Sequence, residues 1–267
     1  MNSNSIATLT LGDSAENHAG MEKIGTMVNK GEGHNLCDLI LIKNNLAQIG
    51  IECEIIRLDL NQRYDEIDFN MPVPEDAYIL VIKNGVNALL RDVSEYNLNM
   101  VFQEQCNLEH DKLAWMKGRV VNKHKRWNLC FDDYNRDPDY ENKMGRIIDY
   151  NDVPITKLLI SQIYRYFGDK SQNLKGEGNY YYDVSKCGIG FHGDTERRKV
   201  IGIRFGTDGL ESTPLYYQWF YHSNPLGERI TIPLNAGDIY VMSEKAVGQD
   251  WRKKNIPTLR HATGNIC

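Results

Sequence analysis

Regularly spaced cysteines, the usual mark of a zinc finger or a disulfide-stapled domain, are missing from this sequence. Its six cysteines lie far apart without a CxxC pair, and several sit inside apolar segments. Cysteines in such surroundings are typical of reduced core residues. The spacing therefore excludes a cysteine-based zinc site and predicts free thiols. The six residues are Cys37, Cys53, Cys106, Cys130, Cys187 and Cys267.

A membrane span and a secretory signal are missing as well. No stretch approaches the roughly 18 consecutive apolar residues that a transmembrane helix needs. Residues 1 to 5 contain no basic region that leads into an apolar stretch, as a secretory signal would. We therefore expect an intracellular, cytoplasmic protein with no membrane partner. No feature of the sequence points to an obligate protein partner either.

The sequence also lacks an excess of positive charge. It has 31 lysines and arginines against 36 acidic residues, which gives a net charge of -5. Proteins that bind nucleic acid recruit several lysines and arginines to the phosphates, so this balance disfavours a broad nucleic-acid surface. One basic run remains at residues 122 to 127. For so short a run, a solvated turn anchored by Trp127 is favoured over a binding patch.

The first 90 residues alternate between strand and helix patterns. The strand-like segments are residues 6 to 11, 51 to 58 and 77 to 82. Between them, a helix is predicted from Asn35 as its cap to Gly50 as its stop. This order predicts a small α/β unit over residues 1 to 90. Gly31 and Gly33 are not followed by the GK[ST] of a phosphate loop, so an ordinary loop is favoured there.

The rest of the chain is dominated by short strands. An amphipathic helix is predicted at residues 154 to 167. The predicted strands are residues 127 to 131, 179 to 184, 188 to 192, 200 to 205, 215 to 221, 229 to 234, 238 to 242 and 259 to 262. Such a series is typical of a sandwich or a barrel. The 267 residues therefore predict an α+β protein whose main domain spans residues 91 to 267.

His192 and Asp194 form a His-x-Asp pair at the end of an apolar, glycine-containing segment. In a strand, residues two apart point to the same side, so the imidazole and the carboxylate can reach one ion. His261 ends a second hydrophobic segment and can supply another imidazole. Two histidines and one carboxylate are the ligands of non-haem Fe(II) oxygenases, because they leave coordination positions open. His222, a rival ligand, lies in a turn-like segment and is expected to be exposed.

Several segments around this pair resemble one known family. They are residues 179 to 196, 201 to 206, 234 to 242 and 260 to 261. The likeness spans about residues 120 to 264 and is to the AlkB-like Fe(II)/2-oxoglutarate dioxygenases. It implies a double-stranded β-helix, or jelly-roll, with Fe(II) on His192, Asp194 and His261. It also implies 2-oxoglutarate as co-substrate and dioxygen as oxidant.

The co-substrate residues follow the family's pattern only in part. An Asn-x-Tyr motif of the family matches Asn179 and Tyr181, whose side chains would reach 2-oxoglutarate. The family also has an arginine on a strand after the second histidine, where its planar fork binds the far carboxylate. Residues 262 to 267 contain no arginine. The anchor has therefore moved, the last strand has been lost, or the metal uses another co-substrate.

Arg204 is the first candidate for a relocated anchor, because it lies between Ile203 and Phe205 in an apolar strand. A charged side chain inside such a strand is costly unless it is paired. Arg198 and Arg260 are the alternatives.

Two further residues lie near the predicted metal. Glu196 is expected either beside the metal or in a surface ion pair with Arg197 or Arg198, and Trp251 is a candidate lid residue. From the resemblance we expect an oxygenase that releases succinate and CO2. The charge favours a small-molecule substrate, with nucleobase demethylation as the alternative. A catalytically silent jelly-roll that only binds a partner is the rival, because the arginine is missing.

Overall fold

The computed structural model describes residues 5–61, 70–207 and 213–266, and strands predominate in it. The helices are α1 (Leu36–Ala47), α2 (Gly85–Leu90), α3 (Leu98–Cys106), α4 (Pro154–Tyr166) and α5 (Glu244–Val247). The strands of the first half are β1 (Ile6–Gly12), β2 (Ser14–Glu16), β3 (Lys23–Gly25), β4 (Cys53–Arg57), β5 (Tyr78–Ile82), β6 (Leu113–Met116), β7 (Arg119–Asn122), β8 (Trp127–Asp132) and β9 (Ile147–Asp149). The later strands are β10 (Lys175–Tyr181), β11 (Gly188–His192), β12 (Val200–Phe205), β13 (Leu215–Tyr221), β14 (Asn224–Ile232), β15 (Ile239–Met242) and β16 (Thr258–Gly264).

These strands form a large sheet, a small sheet and two hairpins. The large sheet has eight strands in the order β4-β5-β15-β12-β1-β10-β8-β9, and the small sheet has four in the order β11-β16-β13-β14. All pairs are antiparallel except β8 with β9. The prediction of a strand-rich α+β fold is confirmed. All strands predicted after residue 175 overlap β10 to β16: the bounds of β11, β12 and β13 match the prediction, and the ends of the others are shifted.

The first 90 residues do not form a sheet of their own. Strand β1 lies between β12 and β10, where Thr8 pairs with Arg204 on one side and with Asn179 on the other. Strands β4 and β5 extend the same sheet beyond β15. Strands from both sides of the boundary predicted at residue 90 therefore share one sheet. Strand β1 is almost wholly buried, but its sequence does not say which strands will flank it.

Two apolar clusters hold the layers together. The first joins the helices to the outer face of the large sheet, so that Leu11 of β1 and Leu159 of α4 share one core. The second lies between the two sheets and contains Tyr240 of β15 with Leu215 and Trp219 of β13. Each fully buried side chain of this kind contributes about 1.5 to 3 kcal/mol. The small sheet is therefore held against the large one by its apolar inner face.

Local signals set the ends of the predicted helices correctly. Asn35 caps α1 through a reciprocal pair of bonds: its side chain accepts from Asp38 N at 3.1 Å, and its own N–H donates to Asp38 Oδ2 at 2.7 Å. Gly50 follows with a φ of 73°, a conformation that favours glycine. Helix α4 begins at Pro154, whose fixed φ suits a first helical position. Helices α2 and α3 were not predicted, because they are short and bordered by loops.

The structure also describes the loop that contains Gly31 and Gly33 and most of the cysteines. The N–H groups of Gly31 and Gly33 donate to the Glu244 carboxylate at 2.9 and 3.0 Å, so this loop binds an acid of its own chain. The cysteines of the described segments are free thiols, whereas Cys267 lies outside them. In the parts of the chain that the structure describes, no helix is long and apolar enough to cross a membrane.

His34 gives the fold a pH-sensitive point. It is fully buried, and its Nε2 lies 3.2 Å from Ser171 Oγ. Burial lowers the pKa of His34 to about 4. The folded state therefore favours the neutral imidazole, and protonation between pH 6.5 and 4 must favour unfolding.

We predict that the free energy of unfolding falls as the pH drops from 6.5 towards 4, with His34 contributing about 3 kcal/mol at most. His34→Gln should flatten the curve in this window, because glutamine does not titrate. Urea denaturation at several pH values measures the difference. His124→Gln, at an exposed site, is the control and should keep the wild-type slope. Equal slopes for both variants would contradict the assignment.

Candidate metal centre

Two neighbouring strands of the small sheet bring the two histidines together. His192, at the end of β11, is the direct cross-strand partner of His261 on β16. Cross-strand partners point to the same face of a sheet, and the two imidazole rings are 4.5 Å apart between centroids. The ring nitrogens of His192 and His261, which are far apart in sequence, thus lie on the same side of the small sheet and close together.

Asp194 enters the same space from just beyond the end of β11. Its backbone N–H donates to Val247 O at 3.1 Å, which ties the segment after β11 to the end of α5. Gly193 makes this approach feasible, because a Cβ there would overlap the carbonyl oxygen of Gly248. The residue between the histidine and the aspartate must therefore be glycine in this packing.

The three side chains surround a site of ionic size. Asp194 Oδ1 lies 3.5 Å from His192 Nε2 and 3.5 Å from His261 Nε2. These distances are longer than a good hydrogen bond, and one ligand atom from each residue lies within 4.8 Å of the others. Two ligands held at a right angle about 2.1 Å from an ion are about 3 Å apart. The donors therefore fit one small divalent cation.

Hydrogen bonds and nearby charges influence the orientation and the protonation of the three candidate metal ligands. His192 Nδ1 lies 2.8 Å from Gly190 O, so donation of this N–H leaves the Nε2 lone pair for a metal. Burial alone would lower the pKa of His192, but the neighbouring Asp194 carboxylate raises it above its ordinary value. Burial lowers the pKa of His261. The pKa of Asp194 falls well below its usual value despite burial, because Arg197 and both histidines favour the carboxylate.

A buried ion cluster borders the aspartate. Arg197 is only 2% exposed, and its guanidinium donates to Glu196 and to Glu177. Arg197 Nε also lies 3.5 Å from Asp194 Oδ2. The expected pairing of Glu196 with Arg197 exists, but it lies inside the protein and not on its surface. No motif in the sequence points to Glu177, which comes from a glycine-containing strand.

Arg204 is a buried cation with only neutral hydrogen-bond partners. It is 1% exposed on β12 and donates to Thr8 Oγ1 at 2.9 Å and to Thr263 Oγ1 at 3.0 Å. Its Nε has no partner within the described segments. No carboxylate of those segments lies within ion-pair distance of it. Arg204 lines the same cavity as the three metal-ligand candidates.

The structure places the two residues of the Asn-x-Tyr motif on β10, lining that cavity. Asn179 Oδ1 accepts from Arg126 Nε at 2.6 Å and from Asn128 Nδ2 at 2.7 Å. Asn179 Nδ2 donates to Glu177 Oε1 at 3.2 Å. The amide is thus largely engaged by the protein. Tyr181 is 2% exposed on the same face of β10.

The two alternative arginines lie elsewhere. Arg198 donates to Val28 O and pairs with Glu244 at 3.1 Å, outside the cavity. Arg260 precedes His261 and so faces the opposite side of β16, where its guanidinium stacks 3.8 Å from the Phe220 ring centroid. The structure thus places neither arginine in the wall of the cavity, whereas Arg204 is part of it.

Two further expectations concern the surroundings of the cavity. His222 lies exposed in the turn between β13 and β14, with a φ of 48°. It does not belong to the metal cluster. Trp251 lines the cavity, and the Arg260 guanidinium lies 5.1 Å from its ring centroid. This placement is compatible with a lid role.

The cavity itself has a volume of about 220 Å³. The amino-terminal region contributes Thr8, Glu16 and His18 to its wall, and the basic run contributes Arg126. Burial and the neighbouring Glu196 raise the pKa of Glu16 to about 7, despite a hydrogen bond from Gly20 N. Sequence reasoning missed these contributions because they depend on the position of β1 within the sheet.

Comparison with known proteins places the chain beside a viral protein. It is 48% identical over 257 residues to an uncharacterized protein of Acanthamoeba polyphaga mimivirus, and the match covers 96% of this chain and 94% of the viral one. The chain belongs to the same family as that protein. No family model matches the chain. The comparison thus shows a family by sequence and assigns no activity to it.

We predict that His192→Ala, Asp194→Ala and His261→Ala each abolish tight binding of Co(II), because each removes one of three ligands. His222→Ala removes an imidazole outside the cluster and should leave the affinity unchanged. Anaerobic titration followed by visible absorption measures both effects. Retention of wild-type affinity by any of the three ligand variants would show that the ion binds elsewhere.

Proposed function

We propose that this protein is an Fe(II)/2-oxoglutarate-dependent dioxygenase that oxidises a small molecule. The observation that carries the proposal is the cavity in which two histidines and an aspartate face a buried arginine that pairs with no acidic side chain of the described residues. A facial set of two imidazoles and one carboxylate suits Fe(II) and leaves positions open. The arginine suits a carboxylate of the co-substrate.

The strand order supports a double-stranded β-helix. From β10 onwards the chain contributes β10, β12 and β15 to the large sheet and β11, β13, β14 and β16 to the small one. A jelly-roll has eight strands in two sheets, so these seven leave the large sheet one strand short. Strand β1 fills the place between β12 and β10. The amino-terminal strand thus takes the position that an eighth strand after β16 would occupy.

Arg204 is the proposed anchor of 2-oxoglutarate. Burying a guanidinium without a counter-charge is costly, and hydroxyls alone compensate for it poorly. Thr263, which holds Arg204, lies two residues after His261 on β16. Side chains two apart on a strand are about 7 Å from each other. A five-carbon dicarboxylate fits this spacing, with one end at the metal and the other at Arg204.

The other residues of the cavity have separate roles in the proposed reaction. When bound, Fe(II) with 2-oxoglutarate supplies activated dioxygen for oxidation of a C–H bond, with succinate and CO2 as co-products. His192, Asp194 and His261 hold the metal on one face and leave the other open to the cavity. Tyr181 and Leu215 both line the cavity, where their apolar surfaces limit the access of water.

The charges on the cavity wall support a small molecule over nucleic acid. Glu16, Glu177 and Glu196 all line the cavity. Arg197 pairs with both Glu177 and Glu196. Arg126, Arg204 and Arg252 line the same cavity. Charges of both signs are therefore mixed in its wall, which offers no excess of positive charge to a phosphate backbone. The net charge of -5 also disfavours binding of nucleic acid.

The proposal predicts that 2-oxoglutarate changes the visible absorption of the Fe(II) protein under anaerobic conditions, and that Arg204→Met weakens its binding about 10- to 100-fold. This range corresponds to the loss of a charge-assisted bond of about 1.5 to 3 kcal/mol. Arg204→Met should leave the metal-free protein at least as stable, because an unpaired buried charge disappears.

Arg260→Met is the matched control, because Arg260 lies outside the cavity, and it should bind 2-oxoglutarate as the wild type does. Succinate release with candidate small molecules, measured by mass spectrometry, then tests turnover. A wild-type Fe(II) spectrum that does not respond to 2-oxoglutarate would overturn the proposal in favour of another co-substrate or a silent binding module.

A further inference from the structure

The two oxygens of the Asp194 carboxylate have different surroundings. Oδ1 lies 3.5 Å from both imidazole Nε2 atoms, in the position of a metal ligand. Oδ2 faces away from the histidines towards Arg197 Nε, also at 3.5 Å. The carboxylate is therefore oriented by a cation on one side and by the two imidazoles on the other.

Arg197 is itself held from two directions. Its Nε and Nη2 donate to Glu196 Oε1 at 3.0 and 2.7 Å, and Nη2 also donates to Glu177. Glu196 lies in the same loop, but Glu177 lies on β10 in the large sheet. Arg197 thus connects the loop that carries Asp194 to the opposite sheet.

The connection continues along the large sheet. Glu177 Oε1 accepts from Asn179 Nδ2 at 3.2 Å, and Asn179 Oδ1 accepts from Asn128 and Arg126. Each member of this series is fixed by the next, so Glu177 has little freedom to turn away. A planar guanidinium can contact three carboxylates at once, whereas an ammonium group presents its charge at a single point.

We propose that Arg197 is a positioning residue that directs one oxygen of Asp194 to the metal, with Glu177 as its anchor on the large sheet. This inference rests on the proposed function, since it needs a metal at His192, Asp194 and His261. Arg197 acts through Asp194 and does not touch the metal. Partners that orient a metal ligand in this way commonly change metal affinity 10- to 100-fold when replaced.

The test compares Arg197→Lys with Arg198→Lys in the full chain. Both keep the charge, but only Arg197 borders Asp194, because Arg198 pairs with Glu244 outside the cavity. Co(II) is titrated anaerobically, and its dissociation constant and visible spectrum are recorded. Arg197→Lys should bind Co(II) about 10- to 100-fold more weakly and with an altered spectrum. Arg198→Lys should match the wild type in both readouts.

Thermal unfolding of the metal-free variants separates positioning from a structural role. A purely structural role would lower the melting temperature of Arg197→Lys and leave the affinity and the Co(II) spectrum of the folded protein unchanged, which would overturn the inference. Glu177→Gln provides a second variant if Arg197→Lys does not fold. It should weaken Co(II) binding at least about threefold, because it removes the anchor of Arg197. Unchanged affinity in Glu177→Gln would also overturn the inference.

The wild-type result distinguishes failure of the proposed function from failure of the positioning role of Arg197. A wild-type protein that binds no Co(II) would overturn the proposed function, and the positioning role with it. Wild-type binding that is matched by Arg197→Lys would overturn the positioning role alone.

Discussion

The pairing of His192 with His261 across β11 and β16 is the constraint on which the whole site depends. Side chains alternate along a strand, so a shift of one residue in this register would turn one imidazole to the opposite face of the sheet. The apolar inner face of the small sheet opposes such a shift of β16, because it would turn Leu259, which lies on the same face as His261, out of the core that it shares with Trp219. The burial of the core thus fixes the geometry of the polar centre.

A second constraint comes from charge. Among the arginines that line the cavity, Arg197 is shared among carboxylates, whereas Arg204 donates only to hydroxyl groups of the described residues. A protein that only had to be stable would gain from an apolar side chain at the second position. The cost of burying Arg204 is understandable if a bound carboxylate completes the site. Strand β1 is part of this arrangement, because its Thr8 holds the guanidinium.

Sequence reasoning reached the parts of the molecule that depend on local patterns. The spacing of residues that are close in sequence predicts the cap at Asn35, the later strands and the His-x-Asp pair. The location of β1 does not, because a strand buried on both faces reads alike wherever it is inserted. Glu177 was missed for the same reason: its importance comes from β10 lying opposite the loop that carries Arg197. Arg198 and Arg260 resembled Arg204 in sequence, and only alternation along β16 and the pairing with Glu244 separate them.

The most direct test of the account is an anaerobic crystal structure of the protein with Fe(II) and 2-oxoglutarate. The account predicts a single ion bound by His192, Asp194 and His261, with the far carboxylate of 2-oxoglutarate paired to Arg204. An ion bound elsewhere, or a co-substrate carboxylate that meets a different side chain while Arg204 remains bonded only to threonines, would contradict it.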